Sequence, residues 1–237
     1  MNLFYQPDNG YLADVIPFYE AGYYYLFYLH DYRNRSKNGE GTPWYLVRTK
    51  DFVHFEEFGE VLPRGGKESQ DLYVFTGSVF KKGEHDYYLF YTGHNPHYTT
   101  KPQQAIMSAR STDLIHWQKD PDATFFAPID QFESDDWRDP FVFYDHHQDT
   151  YKMLLASRLK DGGRRRRGAT VMMRSDDLLN WHVERLLYAP EMYYTHECPD
   201  YFSIGKYWYL IYSEFSHHRV THYRISEHLD GPWLMPS

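Results

Sequence analysis

The sequence has little of what would place it in three common classes of protein. Its 237 residues include one cysteine, so it can form neither an internal disulfide nor a cysteine-rich zinc site. No apolar stretch approaches the ~18 residues that cross a membrane as a helix. The first residues, MNLFYQPDNGYL, lack the basic start and apolar run of a secretory signal. These absences predict a cytoplasmic protein without a membrane partner, and secretion of a processed form is the alternative.

Acidic residues outnumber basic ones, 33 to 25. The formal net charge is −8, which argues against nucleic acid as a partner. A run of four arginines at residues 164–167 is the exception. It follows Asp161-Gly162-Gly163, so we interpret it as an exposed turn rather than an anion-binding site.

Aromatic residues, by contrast, make up 19% of the chain, and 24 of them are tyrosines. This share is far above ordinary usage. A tyrosine ring has a flat apolar face and a hydroxyl, which suits both pleated strands and stacking against sugars. Helical periodicity is absent, so we expect an all-β fold.

One aromatic strand pattern recurs four times along the chain. The copies are YYYLFYLHD, YYLFYTGHN, YKMLLASR and YWYLIYS, and they start 64, 64 and 56 residues apart. A second element follows each of the first three, as RTKDFVHF, RSTDLIHW and RSDDLLNW, with a weaker fourth copy, RISEHLDGPW. Each repeat has room for about four short strands. Recurrence at this interval is typical of a β-propeller, whereas a two-sheet sandwich predicts no motif that recurs in register.

Acidic residues occur where the first strand of a repeat begins. These strands read LADVIPFY, FTGSVF, WRDPFVF and ECPDYF, and three of them carry a carboxylate at the same phase: Asp14, Asp139 and Glu197. Because the innermost strands of a propeller line one channel, we expect these carboxylates to converge at one end of it. Crowding raises the pKa of at least one carboxyl group, and a protonated carboxyl beside an ionised one is what glycoside hydrolysis needs. A single aspartate before a strand is more often a turn cap, but three at one phase favour a site.

These segments resemble glycoside hydrolase family 32, the invertase, levanase and inulinase group. WRDPFVF and HECPDYF are similar to its Arg-Asp-Pro and Glu-Cys motifs. FTGSVF with YYLFYTG is similar to its second-blade segment, and PWYLVRTKDFVHF to its tryptophan-containing strand and the turn after it. The resemblance implies a five-bladed β-propeller glycosidase of the β-fructofuranosidase type, with a retaining mechanism, a carbohydrate substrate and no cofactor.

The resemblance also implies roles for individual residues. Asp14 resembles the nucleophile, Glu197 the general acid/base, and Asp139 the residue that holds sugar hydroxyls and steadies the transition state. Substrate-binding positions are expected at Arg138, Trp44, Phe75, Thr76, Ser78, His30, Asp31 and His196.

Two departures from the family pattern keep alternatives open. The stretch GYLADVIPF lacks both asparagines and the following proline of the family's Trp-Met-Asn-Asp-Pro-Asn-Gly motif, and Leu29 replaces a glutamine. Since these positions shape the sugar subsite, one alternative is an inverting arabinosidase or xylosidase similar to family 43, whose Ala-Asp-Pro start Ala13-Asp14 resembles. The other alternative is a carbohydrate-binding propeller without turnover.

Four repeats can be counted, so we expect a single propeller domain over residues 1–237, with the last blade incomplete or closed beyond Ser237, and no C-terminal β-sandwich. The oligomeric state stays open. Fourteen histidines include the pairs His146-His147 and His217-His218. Because neighbours on a strand point to opposite faces, these pairs have poor ligand geometry, and we expect no metal.

Overall fold

The computed structural model describes residues 4–216 and 218–236, so residues 1–3, 217 and 237 lie outside the described part. One of the two histidine pairs is therefore described only at His218. The regular secondary structure of the described chain consists of antiparallel β-strands in four sheets, with one four-residue helix. Each sheet is built from strands that are consecutive in the chain, as the repeats predict.

The first sheet is formed by the first repeat. Its strands lie in the order β1 (Tyr11–Glu20), β2 (Tyr23–Asp31), β3 (Trp44–Thr49) and β4 (Phe55–Leu62). One helix, α1 (Arg35–Asn38), lies between β2 and β3. The turn at Ala21-Gly22 has positive φ at both residues, 50° and 83°, which suits a tight antiparallel hairpin.

The other repeats form the other three sheets. The second contains β5 (Tyr73–Gly83), β6 (Asp86–His94), β7 (Gln104–Ser111) and β8 (Gln118–Phe125). The third contains β9 (Phe132–Asp145), β10 (Thr150–Leu159), β11 (Gly168–Ser175) and β12 (His182–Tyr188). The fourth contains β13 (Glu197–Ile204), β14 (Tyr207–Glu214) and β15 (Val220–Ser226). Where a fourth strand would lie, Leu234 forms an isolated antiparallel bridge with Ile225.

The recurring second element is a turn, as predicted. Between β3 and β4, Asp51 Oδ1 accepts the backbone N–H groups of Val53 and His54 at 2.9 and 2.8 Å. The His54 ring hydrogen bond, with these N–H groups, lowers the pKa of the Asp51 carboxyl. Asp113 and Asp177 accept the same pair of N–H groups in the next two repeats. The motif therefore recurs because one hydrogen-bonded turn joins the outer two strands of each of the first three sheets.

The chain divides into two compact units. The first runs to Gln103 and resumes at Met107–Thr124, and the second takes Gln104–Ile106 and the chain from Phe125 onward. The core of the first unit includes Phe27, Trp44, Leu46, Leu89 and Tyr91. The core of the second includes Leu154, Met172, Leu210 and Tyr212. Among the described residues, no helix is long and apolar enough to span a bilayer.

Candidate active site

A β-bulge interrupts the first strand of every sheet at its polar signature. The pairing with the second strand skips Asp14 in β1 and Thr76 in β5, and it skips Asp139-Pro140 in β9 and Cys198-Pro199 in β13. Three of the bulged residues have positive φ: 22° at Asp14, 59° at Asp139 and 48° at Cys198. Positive φ is uncommon outside glycine, and strain of this kind clusters at functional sites, where bulges re-aim side chains.

The bulges correct the predicted phase of one carboxylate. Asp14 and Asp139 are the bulged residues of their strands, but in β13 that position belongs to Cys198. Glu197 precedes the bulge by one residue and so corresponds to Arg138 in β9. The prediction of a common phase is therefore wrong by one residue for Glu197, because sequence alignment cannot locate a bulge.

Arg138 joins two of the expected catalytic carboxylates within the second unit. Its Nη2 lies 3.1 Å from Glu197 Oε1, and its Nε lies 3.8 Å from Asp139 Oδ2. The Cys198 N–H donates to Asp139 Oδ2 at 2.9 Å, which ties β9 to β13. The side chains of Arg138 and Asp139 are 10% and 6% exposed, whereas that of Glu197 is 36% exposed. The structure thus places Asp139 and Glu197 side by side, with Glu197 the more accessible to a ligand.

The carboxylates around Arg138 keep its guanidinium positively charged. Burial works against the guanidinium charge, but Asp139, Asp136 and Glu197 outweigh it and raise the pKa of Arg138. We expected Arg138 to bind substrate, yet its nitrogens are occupied by protein groups. The buried guanidinium therefore acts on the carboxylates around it.

In the first unit, the side chains of Asp14 and Thr76 are hydrogen-bonded to each other. The Thr76 hydroxyl donates to Asp14 Oδ2 at 2.6 Å, across 62 residues of sequence. Asp14 itself is exposed. The approach of Asp14 to Asp139 and Glu197, which the propeller axis predicts, stays a prediction.

Three other residues that we expected to contact the sugar pack mainly against the protein itself. Trp44 is fully buried, and its Nε1 donates to the carbonyls of Val74 and Phe75 at 3.2 Å each. The Trp44 ring packs in the core and holds β5 in place, and its contribution to the sugar pocket stays a prediction. Ser78 is also buried, at 6% exposed. Phe75 is partly buried and stacks on His94 with ring centres 5.0 Å apart.

His30 lines a cavity of about 570 Å³ to which four tyrosines also contribute and to which Asp14 and Thr76 do not. The His30 ring stacks on Tyr45 with ring centres 4.1 Å apart, and burial lowers the pKa of His30. A contact of His30 with the sugar stays a prediction. Asp31, on the opposite face of β2, has its carboxylate engaged by the backbone N–H and Nε of Arg33 at 3.0 and 3.1 Å.

His196 is a core residue of the second unit. It is fully buried, and its ring centre lies 4.4 Å from that of Tyr212. Thr170 Oγ1 lies 3.1 Å from its Nδ1. No part of the His196 ring reaches solvent, so its contact with substrate stays a prediction. Cys198, two residues later, is exposed.

Sequence inspection missed three groups that hold Arg138. Asp136 Oδ1 lies 2.7 Å from Nη1, Thr195 Oγ1 lies 3.2 Å from Nη2, and Gln104 Oε1 lies 3.5 Å from Nη1. Asp136 had a signal, since period-2 alternation puts residues 136 and 138 on one side of the strand. Gln104 had none, because it is distant in sequence and belongs to another sheet.

The surroundings of Glu197 offer space for a ligand. Glu197 borders a cavity of about 440 Å³ whose wall is completed by Ser213, Glu214, Phe215, Arg219, Val220 and Thr221. In the described part of the chain, no three histidine, cysteine or acidic side chains are grouped so that they could hold a metal ion.

Comparison with protein families and known proteins identifies relatives of this chain. The profile described as "Glycosyl hydrolases family 32 N-terminal domain" matches residues 4–230. A sucrose-6-phosphate hydrolase of Staphylococcus xylosus is 29% identical over 71% of this chain and 33% of its own length. A levanbiose-producing levanase of Bacillus subtilis is 26% identical over 83% of this chain and 36% of its own. The chain thus spans about a third of the length of these curated relatives.

Solved structures share the fold. A sucrose-6-phosphate hydrolase from Lactobacillus gasseri superposes with a TM-score of 0.75 at 24% identity, over 92% of this chain and 45% of that chain. A fructan 1-exohydrolase IIa from Cichorium intybus gives 0.77 at 18% identity, over 98% and 45%. The prediction of an all-β propeller fold, with four blades in this chain, is confirmed.

Proposed function

Because the chain belongs to the N-terminal domain family of glycosyl hydrolases family 32, we propose that it carries the catalytic groups of a retaining glycosidase that cleaves β-fructofuranosyl bonds. The observation that carries the proposal is the buried Arg138, which bridges a shielded Asp139 and a more accessible Glu197. Crowded carboxylates around one fixed cation are suited to acid/base work on a glycosidic bond.

In the proposed first step, Asp14 attacks the anomeric carbon of the fructosyl unit. The bond from Asp14 to that carbon forms while the glycosidic C–O bond breaks, and the Glu197 proton goes to the departing oxygen. The Thr76 hydroxyl on Asp14 Oδ2 orients the carboxylate, so that Oδ1 is the attacking atom.

In the second step, a water molecule gives its proton to Glu197 and attacks the same carbon. The ester bond to Asp14 breaks, fructose leaves, and Glu197 is protonated again for the next cycle. Asp139 is fixed by the Cys198 N–H, so its carboxylate can accept sugar hydroxyls and stabilise the positive charge that develops on the ring.

The proposed substrates follow from the relatives, whose names specify hydrolysis of sucrose 6-phosphate and levan. They are sucrose, its 6-phosphate ester and β-fructans. The family match favours these over the pentosyl substrates of the family 43 alternative, and it favours turnover over binding alone.

The test is an activity panel with the full-length protein. Sucrose, sucrose 6-phosphate, levan and inulin are compared with aryl arabinofuranosides and xylosides, and NMR records the first-formed anomer. We expect fructose in its original anomeric configuration, and a loss of about 100- to 10,000-fold in kcat for Glu197→Gln. The matched control is Glu191→Gln, an exposed site six residues earlier, which should keep wild-type activity. Release of pentoses alone, or sugar binding without turnover, would contradict the proposal.

A further inference from the structure

A row of alternating charges leads away from Glu197 inside the second unit. In order, its members are Glu197, Arg138, Asp136, Arg158, Glu133 and Arg167. Beyond the Arg138 contacts described above, Arg158 Nε lies 3.4 Å from Asp136 Oδ2 and 3.0 Å from Glu133 Oε2. Arg167 Nη2 lies 2.5 Å from Glu133 Oε1. The last residue of the four-arginine run is therefore the outer end of a chain of ion pairs.

The middle of this row is shielded from water. Arg158 is 1% exposed, and its guanidinium lies 3.5 Å from the ring centre of Tyr194. The Asp136 side chain is 15% exposed, and Arg158 Nη2 also donates to the Arg164 carbonyl at 3.0 Å. Water and salt screen such charges weakly, so a change at one link is felt at the next.

One further carboxylate contacts this row. Asp139 Oδ2 lies 3.8 Å from Arg138 Nε, so three guanidinium groups, those of residues 138, 158 and 167, face four carboxyl groups, at Glu133, Asp136, Asp139 and Glu197. Glu197 is the most exposed of the four side chains, and it borders the cavity described above.

We propose that Asp136 and Arg158 are positioning residues that set how readily Glu197 gives up its proton. The proposal rests on the proposed role of Glu197 as general acid/base. Neither residue touches substrate: Asp136 acts by sharing the guanidinium of Arg138, and Arg158 acts by sharing the carboxylate of Asp136.

The two residues act with opposite sign. Without the negative charge of Asp136, Arg138 attracts Glu197 more strongly and favours its ionised form, so the alkaline limb of the pH–rate profile falls to lower pH. Without the positive charge of Arg158, the ionised form of Glu197 is less stable. The alkaline limb of the pH–rate profile therefore moves to higher pH.

Other charged groups face Glu197 and are left unchanged in this comparison. Asp139 lies beside it on β9, and Glu214 and Arg219 line the adjoining cavity. His222 on β15 lies 3.9 Å from Glu214. Because these groups are the same in every variant, a difference between limbs reports the substituted link.

The experiment compares kcat/KM against pH for wild type, Asp136→Asn and Arg158→Gln, with Asp130→Asn, an exposed site before β9, as the charge-matched control. Sucrose is the probe, and the full-length protein is used. We expect limb shifts of about half a pH unit or more, downward for Asp136→Asn and upward for Arg158→Gln, and none for Asp130→Asn. Because Arg158 is buried, Arg167→Gln is measured alongside it, with a smaller upward shift expected.

The outcomes separate this proposal from the proposed function. An active wild type whose variants lose kcat without movement of the limb, or move it in one common direction, overturns the positioning role alone. A wild type that hydrolyses no fructoside overturns the proposed function, and this proposal with it.

Discussion

The imidazole of His196 is fully enclosed by tyrosine rings one residue before the proposed acid/base. Burial, followed by the charges of Arg224 and His222, lowers the pKa of His196 to about 3 from an ordinary 6.5. The ring is therefore neutral at any pH at which the folded protein is normally handled. The uncharged His196 ring therefore adds no charge to the row of alternating charges that begins at Glu197.

Burial of a neutral histidine predicts how stability depends on pH. Between about pH 6.5 and pH 3 the unfolded chain binds a proton at residue 196 and the folded chain does not, so stability is complete above pH 6.5 and falls with acidification. We expect this residue to remove about 2 kcal/mol of unfolding free energy between pH 7 and pH 5. Urea unfolding at both pH values should show a weaker pH dependence for His196→Gln than for wild type. The control His182→Gln, at an exposed site, should keep the wild-type dependence, and equal dependences in all three proteins would contradict the prediction.

The proposed role of Glu197 as acid and base leads to a second prediction, about the activity of its glutamine variant. An aryl fructoside with a good leaving group needs little protonation, so the Glu197→Gln variant should lose less activity on it than on sucrose. Because the variant also lacks the base for the water step, added azide, which needs no base, should raise its turnover and give a fructosyl azide. Release of 4-nitrophenol with and without azide measures this. Insensitivity to azide and to the leaving group would count against Glu197 as acid/base.

At the scale of elements, the bulges in the first strands connect fold and site. Each bulge interrupts the pairing with the second strand, and the interruption includes Asp14, Thr76 or Asp139 in the first three sheets. In the second sheet the bulge needs a glycine next to Thr76. A Cβ on Gly77 would lie 1.8 Å from the Phe90 carbonyl oxygen, so β5 can approach β6 only without a side chain there.

The substitution Gly77→Ala tests this requirement. It should lower the free energy of unfolding by about 1–3 kcal/mol, because the strand must move to admit the methyl group. It should also lower activity, since the Thr76 hydroxyl is displaced from Asp14. Gly83→Ala in the same strand is the control, because its Cβ would meet nothing nearer than 4.0 Å. Thermal and urea unfolding of both variants measure the difference, and similar stability in the two would refute the role given to Gly77.

At the largest scale, the two residues proposed as nucleophile and acid/base belong to different compact units. Asp14 is part of the first unit, and Glu197 of the second. That their carboxyl groups meet is a prediction from the propeller fold, in which blades related by rotation about a common axis begin their innermost strands at one end of a channel.

A retaining mechanism sets the distance that this arrangement must reach. The carboxyl groups of Asp14 and Glu197 should lie about 5–5.5 Å apart, whereas an inverting enzyme requires about 6.5–9.5 Å. A crystal structure of the full-length Glu197→Gln variant with bound sucrose measures this separation and shows whether Asp14 faces the anomeric carbon. A separation in the longer range would favour inversion, and a still longer one would remove Asp14 from the mechanism.

The features that depend on neighbouring residues can be predicted from the amino-acid sequence. Period-2 patterning and turn residues gave the four sheets, and the Ser/Thr-x-Asp element gave the turn at Asp51, because side chains and backbone within a few residues make these contacts. The aromatic repeat identified the propeller for the same reason. The motif around Arg138 and Glu197 also predicted that distant strands contribute to one site.

Solvent exposure of the expected site residues, and the sharing of one partner by several charges, depend on the packing of strands that are distant in the sequence. Trp44 and His196 lie within motifs that resemble sugar-binding segments, yet both are buried, because burial depends on what distant strands pack against each ring. The one-residue offset of Glu197 arises from a bulge, which leaves no mark in the order of amino acids. Apart from the link between Asp136 and Arg138, the ion pairs between Glu197 and Arg167 join residues that are distant in the sequence, so only the folded chain brings them together.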